Sequence, residues 1–267
     1  MGKVGSLSVY QAVKVARLEA LHPHYCDAET LERMGKRIGH DMPVIKHGRD
    51  SAAVIAAATP KKPALIITMV RTPIERNISS YFHNQEYINV TTQDVGEMTR
   101  HFIKSYPHKV AVDWLDANLK KVIDLDVYEE PFNKRQGFRV YDRGRHKVLL
   151  LRSDLTQEAQ SAAVSDFVGR PVAVGRDVNV GAEKSYAMDY RTFIDQIVLS
   201  KDHVERMLGS RYAQHFWPRA RLEELRRFWL REPPPSLGRR VKYMAGDRWR
   251  DVSAWFGRAA GLNGSQR

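Results

Sequence analysis

The chain carries one cysteine, Cys26, in 267 residues. That excludes an internal disulfide framework and suits a reducing compartment. Long apolar runs are also missing, and none approaches the roughly 20 residues that a bilayer-spanning helix needs. No apolar h-region opens the sequence, so the N-terminus has no signal-peptide pattern. The Walker A pattern G-x-x-x-x-G-K-[ST] is absent, because Gly2-Lys3 is followed by Val4. A kinase or ATPase is disfavoured on that ground. No Cys, His and carboxylate set has metal-ligand spacing, and internal repeats are absent.

What is present is ordinary globular composition, with 43% hydrophobic and 28% charged residues. The length suits one large α/β domain with an appendage. Net charge is +12, and it is unevenly placed. Residues 218–267 hold 12 Arg or Lys against 5 Asp or Glu, a net +7. A basic surface favours an acidic polysaccharide, a nucleic acid or a lipid headgroup surface. No nucleic-acid motif accompanies the charge, so no nucleic-acid partner is expected.

The chain is organised around PALIITMVRTPIERNISSYFHN, residues 63–84. Residues 64–70 form a continuous apolar run, which predicts a strand buried on both faces as in a parallel sheet. Thr72-Pro73 then opens a helix, since Pro suits the first helical position. Ile74, Ile78, Tyr81 and Phe82 recur at helical spacing and give it one apolar face. Arg71 therefore sits at the carboxyl end of a buried strand, where open α/β sheets bind ligands. A guanidinium there and the Ser79 hydroxyl about two turns into the helix can hold one anion.

At the N-terminus, Gly2, Gly5, Ser6 and Ser8 precede a helical pattern with Val9, Val13, Ala16 and Ala20 on one side. Ser6 or Ser8 is expected to cap that helix. A Gly-containing loop entering a helix N-terminus presents amides and a positive dipole end to an anion, and Lys3 adds a charge.

The pattern R-x-P-x-x-R-x-x-S-x-Y from Arg71 to Tyr81 resembles the 3′-phosphate segment of sulfotransferases that use 3′-phosphoadenosine 5′-phosphosulfate (PAPS). The resemblance implies that Arg71 and Ser79 hold the cofactor's 3′-phosphate, and Arg76 matches a second Arg of the polysaccharide-modifying branches. K-x-G-S-x-S at Lys3 to Ser8 looks like the 5′-phosphosulfate loop of the same superfamily. Lys3 would then neutralise the departing phosphate, with Val4, Gly5, Ser6, Leu7 and Ser8 forming the loop. In the family this loop follows a first, central strand. Here only Met1 and Gly2 precede it, so that strand is expected to be missing.

Residues 21–27, LHPHYCD, sit where a second parallel strand would follow, and a His near its end acts as general base in several carbohydrate sulfotransferases. His22 and His24 are both candidates. Metal ligation or a solvent-exposed strand-end role are the other readings of two His at i, i+2. Asp27 is expected to cap a helix over 28–38, with a second helical piece over about 50–58. Residues 92–123 read as helical, with Phe102, Trp114, Leu115, Leu119 and Val122 as core. The run from Trp114 to Tyr141 resembles a family of bacterial capsular polysaccharide synthesis proteins, a sulfotransferase branch.

Residues 138–141 and 147–151 read as strands joined by a polar, Gly-containing turn. Asp154 would orient basic neighbours or substrate, or cap the helix over 156–167. The stretch NVGAEKSYAMDYRTF resembles the family's late cofactor-closing loop, with Lys184 as a further phosphate contact. Helical periodicity resumes over 190–212, and Tyr212 to Trp217 resembles a C-terminal packing motif. Three prolines, Pro233 to Pro235, mark an extended spacer before a basic amphipathic tail.

The implied fold is α/β of the P-loop nucleoside triphosphatase type, a parallel central sheet flanked by helices. The implied domains are 1–231 and a spacer and tail over 232–267. The implied reaction moves a sulfuryl group from PAPS to a hydroxyl of a capsular or cell-surface glycan, with Lys3 and either His22 or His24 catalytic and no metal required. The expected place is the cytoplasm, with the tail touching the anionic inner-membrane surface. The alternative is a non-catalytic module that binds a nucleotide or acidic polymer on a degenerate form of this fold.

Overall fold

The computed structural model describes residues 1–84, 94–175 and 187–232, without the side chains of 187–189. Lys184, the closing loop around it and the tail from 233 onward lie outside the described residues. In chain order the elements are α1 (Ser6–Val15), α2 (Ala28–Ile38), α3 (Pro43–Ala56), β1 (Ala64–Val70), α4 (Pro73–His83), α5 (Val95–Ser105) and α6 (Val110–Leu115). A π-helical turn (Asp116–Lys120) leads to α7 (Lys121–Ile123), β2 (Phe138–Arg143), β3 (His146–Arg152) and α8 (Gln157–Val168). The chain then forms α9 (Ala187–Gln196), α10 (Lys201–Leu208), α11 (Arg211–Phe216) and α12 (Arg219–Leu230).

The sheet is small and mixed, in the order β1-β3-β2. β1 pairs with β3 in parallel, Ala64 opposite His146 through Val70 opposite Arg152. β2 pairs antiparallel with β3. The expected parallel sheet thus reduces to one parallel pair, because β2 and β3 form a hairpin. Asp142 Oδ1 accepts from the Gly144 amide at 2.9 Å, and Gly144 takes φ 67°, which the tight turn needs.

β1 has the expected bounds, but it is not buried throughout: Ala64, Thr68, Met69 and Val70 are inside, whereas Leu65 is 48% exposed. The apolar face of α4 joins the same core: Ile74, Ile78, Tyr81 and Phe82 are all buried, and the helix packs against α6 and α10. Each such side chain contributes about 1.5–3 kcal/mol by leaving water. Leu149, Leu150 and Leu151 of β3 complete the centre of the core.

Several expectations change. Residues 21–27 form no strand. Pro23 removes a ladder donor, and the segment is tied from afar instead: Trp114 Nε1 donates to His24 O at 2.9 Å, and Cys26 N donates to Asn118 Oδ1 at 3.2 Å. The π turn places Asn118 for this bond, and its Nδ2 donates back to Trp114 O. α3 begins earlier than expected, at Pro43, where proline again opens the helix. The stretch 92–123 breaks after Ser105, at Tyr106-Pro107. The stretch 190–212 divides because Ser200 and Ser210 cap new helices, accepting from His203 N and Ala213 N.

Candidate active site

The site is assembled at the carboxyl end of β1, where the N-terminal loop meets α4. Lys3 has φ 67° and Gly5 has φ 82°, so two left-handed residues turn the chain sharply into α1. Val4 between them is 1% exposed and anchors the loop in the core. Gly5, not Ser6 or Ser8, is the N-cap, and no side chain caps the first-turn amides. The Ser8 hydroxyl donates instead to Gly5 O at 2.7 Å, and Ser6 faces His22. Leu7 is half-buried beside them.

The two arginines of the strand–helix motif reach this loop. Arg71 Nη1 donates to Lys3 O at 3.3 Å, across 68 residues of sequence. Arg76 Nε donates to Gly2 O at 3.2 Å, and its Nη1 donates to Asn77 Oδ1 and to Tyr106 Oη. Arg76 is 5% exposed, so this is a buried guanidinium held by neutral acceptors. Ser79 lies half-buried on α4.

Arg71 is itself positioned from the C-terminal part of the chain. Tyr212 Oη accepts from Arg71 N at 3.2 Å and donates to Arg71 O at 3.0 Å. The Tyr190 phenol hydrogen-bonds the Arg71 side chain; burial pushes its pKa up, and the guanidinium opposes that rise. Neither tyrosine stood out by spacing, since both bonds depend on tertiary placement. Tyr212 opens the C-terminal packing motif of Tyr212 to Trp217, which reads as packing and gives no sign of a bond to Arg71.

Both candidate bases are at the loop. His22 Nε2 lies 2.9 Å from Ser6 Oγ. The His22 ring stacks on Tyr10 at 5.1 Å and meets His24 edge-on at 5.4 Å. Burial lowers the pKa of His22, with smaller effects from the N-terminal ammonium and His47. His24 is lowered further, to about 4, first by burial and then by the N-terminal ammonium, His22, Lys3 and Arg76.

Asp154 caps no helix, because Thr156 does so for α8. Asp154 instead accepts from Arg152 Nε at 2.9 Å and from Trp217 Nε1 at 3.2 Å, a tie between β3 and the end of α11. Among the described residues, no group of three or more His, Cys, Asp or Glu could hold a metal ion. Among them, too, no helix is long and apolar enough to cross a membrane.

The structure therefore brings together Lys3, Ser6, Arg71, Arg76, His22 and His24, and adds Tyr10, Tyr190 and Tyr212. No curated protein and no solved structure matches the chain. Over residues 88–218 the chain matches the family model described as "Putative capsular polysaccharide synthesis protein", a span that holds Trp114, Asn118 and Tyr212 and begins after Arg71 and α4.

Proposed function

We propose that the chain is a PAPS-dependent sulfotransferase of capsular or cell-surface polysaccharide synthesis, built on a sulfotransferase-type α/β scaffold. The observation that carries this reading is the contact between Arg71 and the Lys3 carbonyl, which makes one cationic site of two motifs far apart in sequence. The buried Arg76 with neutral partners supports it, since a buried positive charge is stabilised by an anion nearby. So do the first-turn amides of α1, which carry the helix's positive end and lack a side-chain cap.

PAPS, when bound, supplies an activated sulfuryl group on a phosphate leaving group. The Lys3 ammonium neutralises charge that develops on that phosphate. Arg71 and Ser79 hold the 3′-phosphate, with Lys184 as a further contact. A histidine of the pair His22 and His24 takes the acceptor's proton. Such a transfer needs orientation and charge neutralisation more than covalent help. A glycan hydroxyl as acceptor is supported by the matched family's description and by the net charge of +12. Work on the cytoplasmic side, with the basic tail against the anionic inner-membrane surface, belongs to the same proposal.

Transfer of radiolabelled sulfuryl from PAPS to capsular glycan tests the reading, with Lys3→Ala as the discriminating variant. An enzyme loses about 10²–10³ in turnover from removing one such electrostatic stabiliser, with a smaller loss of nucleotide affinity. Binding of nucleotide or polymer without turnover in the wild type points to the non-catalytic module instead.

A further inference from the structure

Ser6 of the N-terminal loop forms a cluster with Tyr10 and His22. Ser6 opens α1, and Tyr10 lies four residues on along the same helix, so both share one face. His22 is sandwiched by geometry onto that face: its ring lies 22° from the Tyr10 plane, and its Nε2 is within hydrogen-bond reach of Ser6 Oγ. Burial lowers its pKa, which favours the neutral ring. In the tautomer protonated at Nδ1, the Ser6 hydroxyl donates to the one basic nitrogen. The nitrogen suited to take an acceptor's proton is then engaged by the same loop that receives the donor's phosphosulfate.

We propose that Ser6 gates His22: its hydroxyl holds Nε2 while the loop is empty, and turns to the phosphosulfate oxygens when the donor binds, freeing Nε2 as the base. This rests on the sulfotransferase reading and deepens it. A charged acceptor draws a hydroxyl donor more strongly than a neutral ring nitrogen does. The acceptor's proton passes to His22 Nε2 as its oxygen forms the new S–O bond and the old S–O bond breaks towards the nucleotide phosphate. Donor binding must therefore precede activation of the acceptor.

His24 does not fit this role. Its ring sits against Gly2, where an added Cβ would lie 3.8 Å away, and its carbonyl is held by Trp114. Its Nδ1 is buried without a hydrogen-bond partner. With a pKa of about 4 it is a weak proton acceptor near neutrality. The titratable groups around His22 are the buried N-terminal amine, whose pKa burial pushes well down, His24, His47 and the stacked Tyr10.

The test is an NMR titration of His22 in wild type, Ser6→Ala and Ser6→Thr, with and without saturating 3′-phosphoadenosine 5′-phosphate. His22→Gln assigns the resonance. Without nucleotide, Ser6→Ala removes a bond to the neutral ring and raises the His22 pKa by about 0.5–1 unit. Ser6→Thr keeps the hydroxyl and stays with wild type. With nucleotide bound, wild type and Ser6→Ala coincide. Equal pKa values without nucleotide, or a difference that persists with it, overturns the gate. Calorimetry on the same samples separates the two claims: no binding refutes the sulfotransferase reading and the gate with it, whereas binding without convergence refutes the gate alone.

Discussion

Tyr212→Phe removes one oxygen atom and tests how the strand end is held. That oxygen serves both backbone groups of Arg71, at 3.2 Å from its nitrogen and 3.0 Å from its carbonyl oxygen. The side chain is 1% exposed, so water does not replace it. The phenyl ring keeps its packing against Phe216 and Trp217, and the change therefore isolates the hydrogen bonds. Each backbone group left unpaired costs about 1–3 kcal/mol, offset by the hydroxyl that no longer needs burial. A net loss of roughly 2–4 kcal/mol follows. For a domain of this size each kcal/mol lowers Tm by about 2–4 °C, so Tm falls by about 5–15 °C. Thermal melts followed by circular dichroism measure this. A fall of less than about 2 °C would refute the idea that Tyr212 pins Arg71.

Gly48→Ala pushes a Cβ to 2.4 Å from Leu31 Cδ2 and 2.7 Å from the Tyr25 carbonyl oxygen. Leu31 can turn away, but Tyr25 is backbone beside His24, so a loss of about 1–3 kcal/mol is expected in denaturant unfolding, with shifted His22 and His24 resonances. Gly144→Ala is the control: nothing lies within 4 Å, and only its φ of +67° opposes the change. The buried rings of His108 and His203, 4.4 Å apart, set an acid limit on stability. Burial lowers both, His203 to about 3, with smaller lowering by His108 and Arg206. The unfolded chain takes up protons near pH 6.5 and the folded one resists, so their contribution is complete above pH 6.5 and is lost as pH falls from there towards 3. Urea unfolding from pH 8 to 4 reads this, and a stability that stays level below pH 6.5 counts against it.

The sequence made β1, α4 and the β2–β3 hairpin legible, because their signals are local. A seven-residue apolar run, Pro73 at the helix start and Gly144 in the turn each act within a few positions. The loop at Gly5 was visible for the same reason, although which residue caps α1 depended on where His22 comes to lie. Residues 21–27 misled as a strand, since Trp114 and Asn118 fix them from 90 and 92 residues away. The grips of Arg76 on Gly2 and of Tyr212 on Arg71 span 74 and 141 residues, beyond any periodicity. Ser200 and Ser210 were readable caps that the helical pattern of their neighbours concealed. The expected parallel sheet shrinks to one parallel pair because residues 21–27 form no strand and β2 joins β3 as a hairpin.

The most direct measurement is calorimetric titration with 3′-phosphoadenosine 5′-phosphate, beside ATP, for wild type, Arg71→Ala and Ser79→Ala. Micromolar binding, about −8 kcal/mol, is expected for the wild type, lost in Arg71→Ala, weakened in Ser79→Ala and absent for ATP. Equal affinity for both nucleotides, or none for either, would contradict the claim that the N-terminal loop and the end of β1 form one site for a 3′-phosphorylated donor.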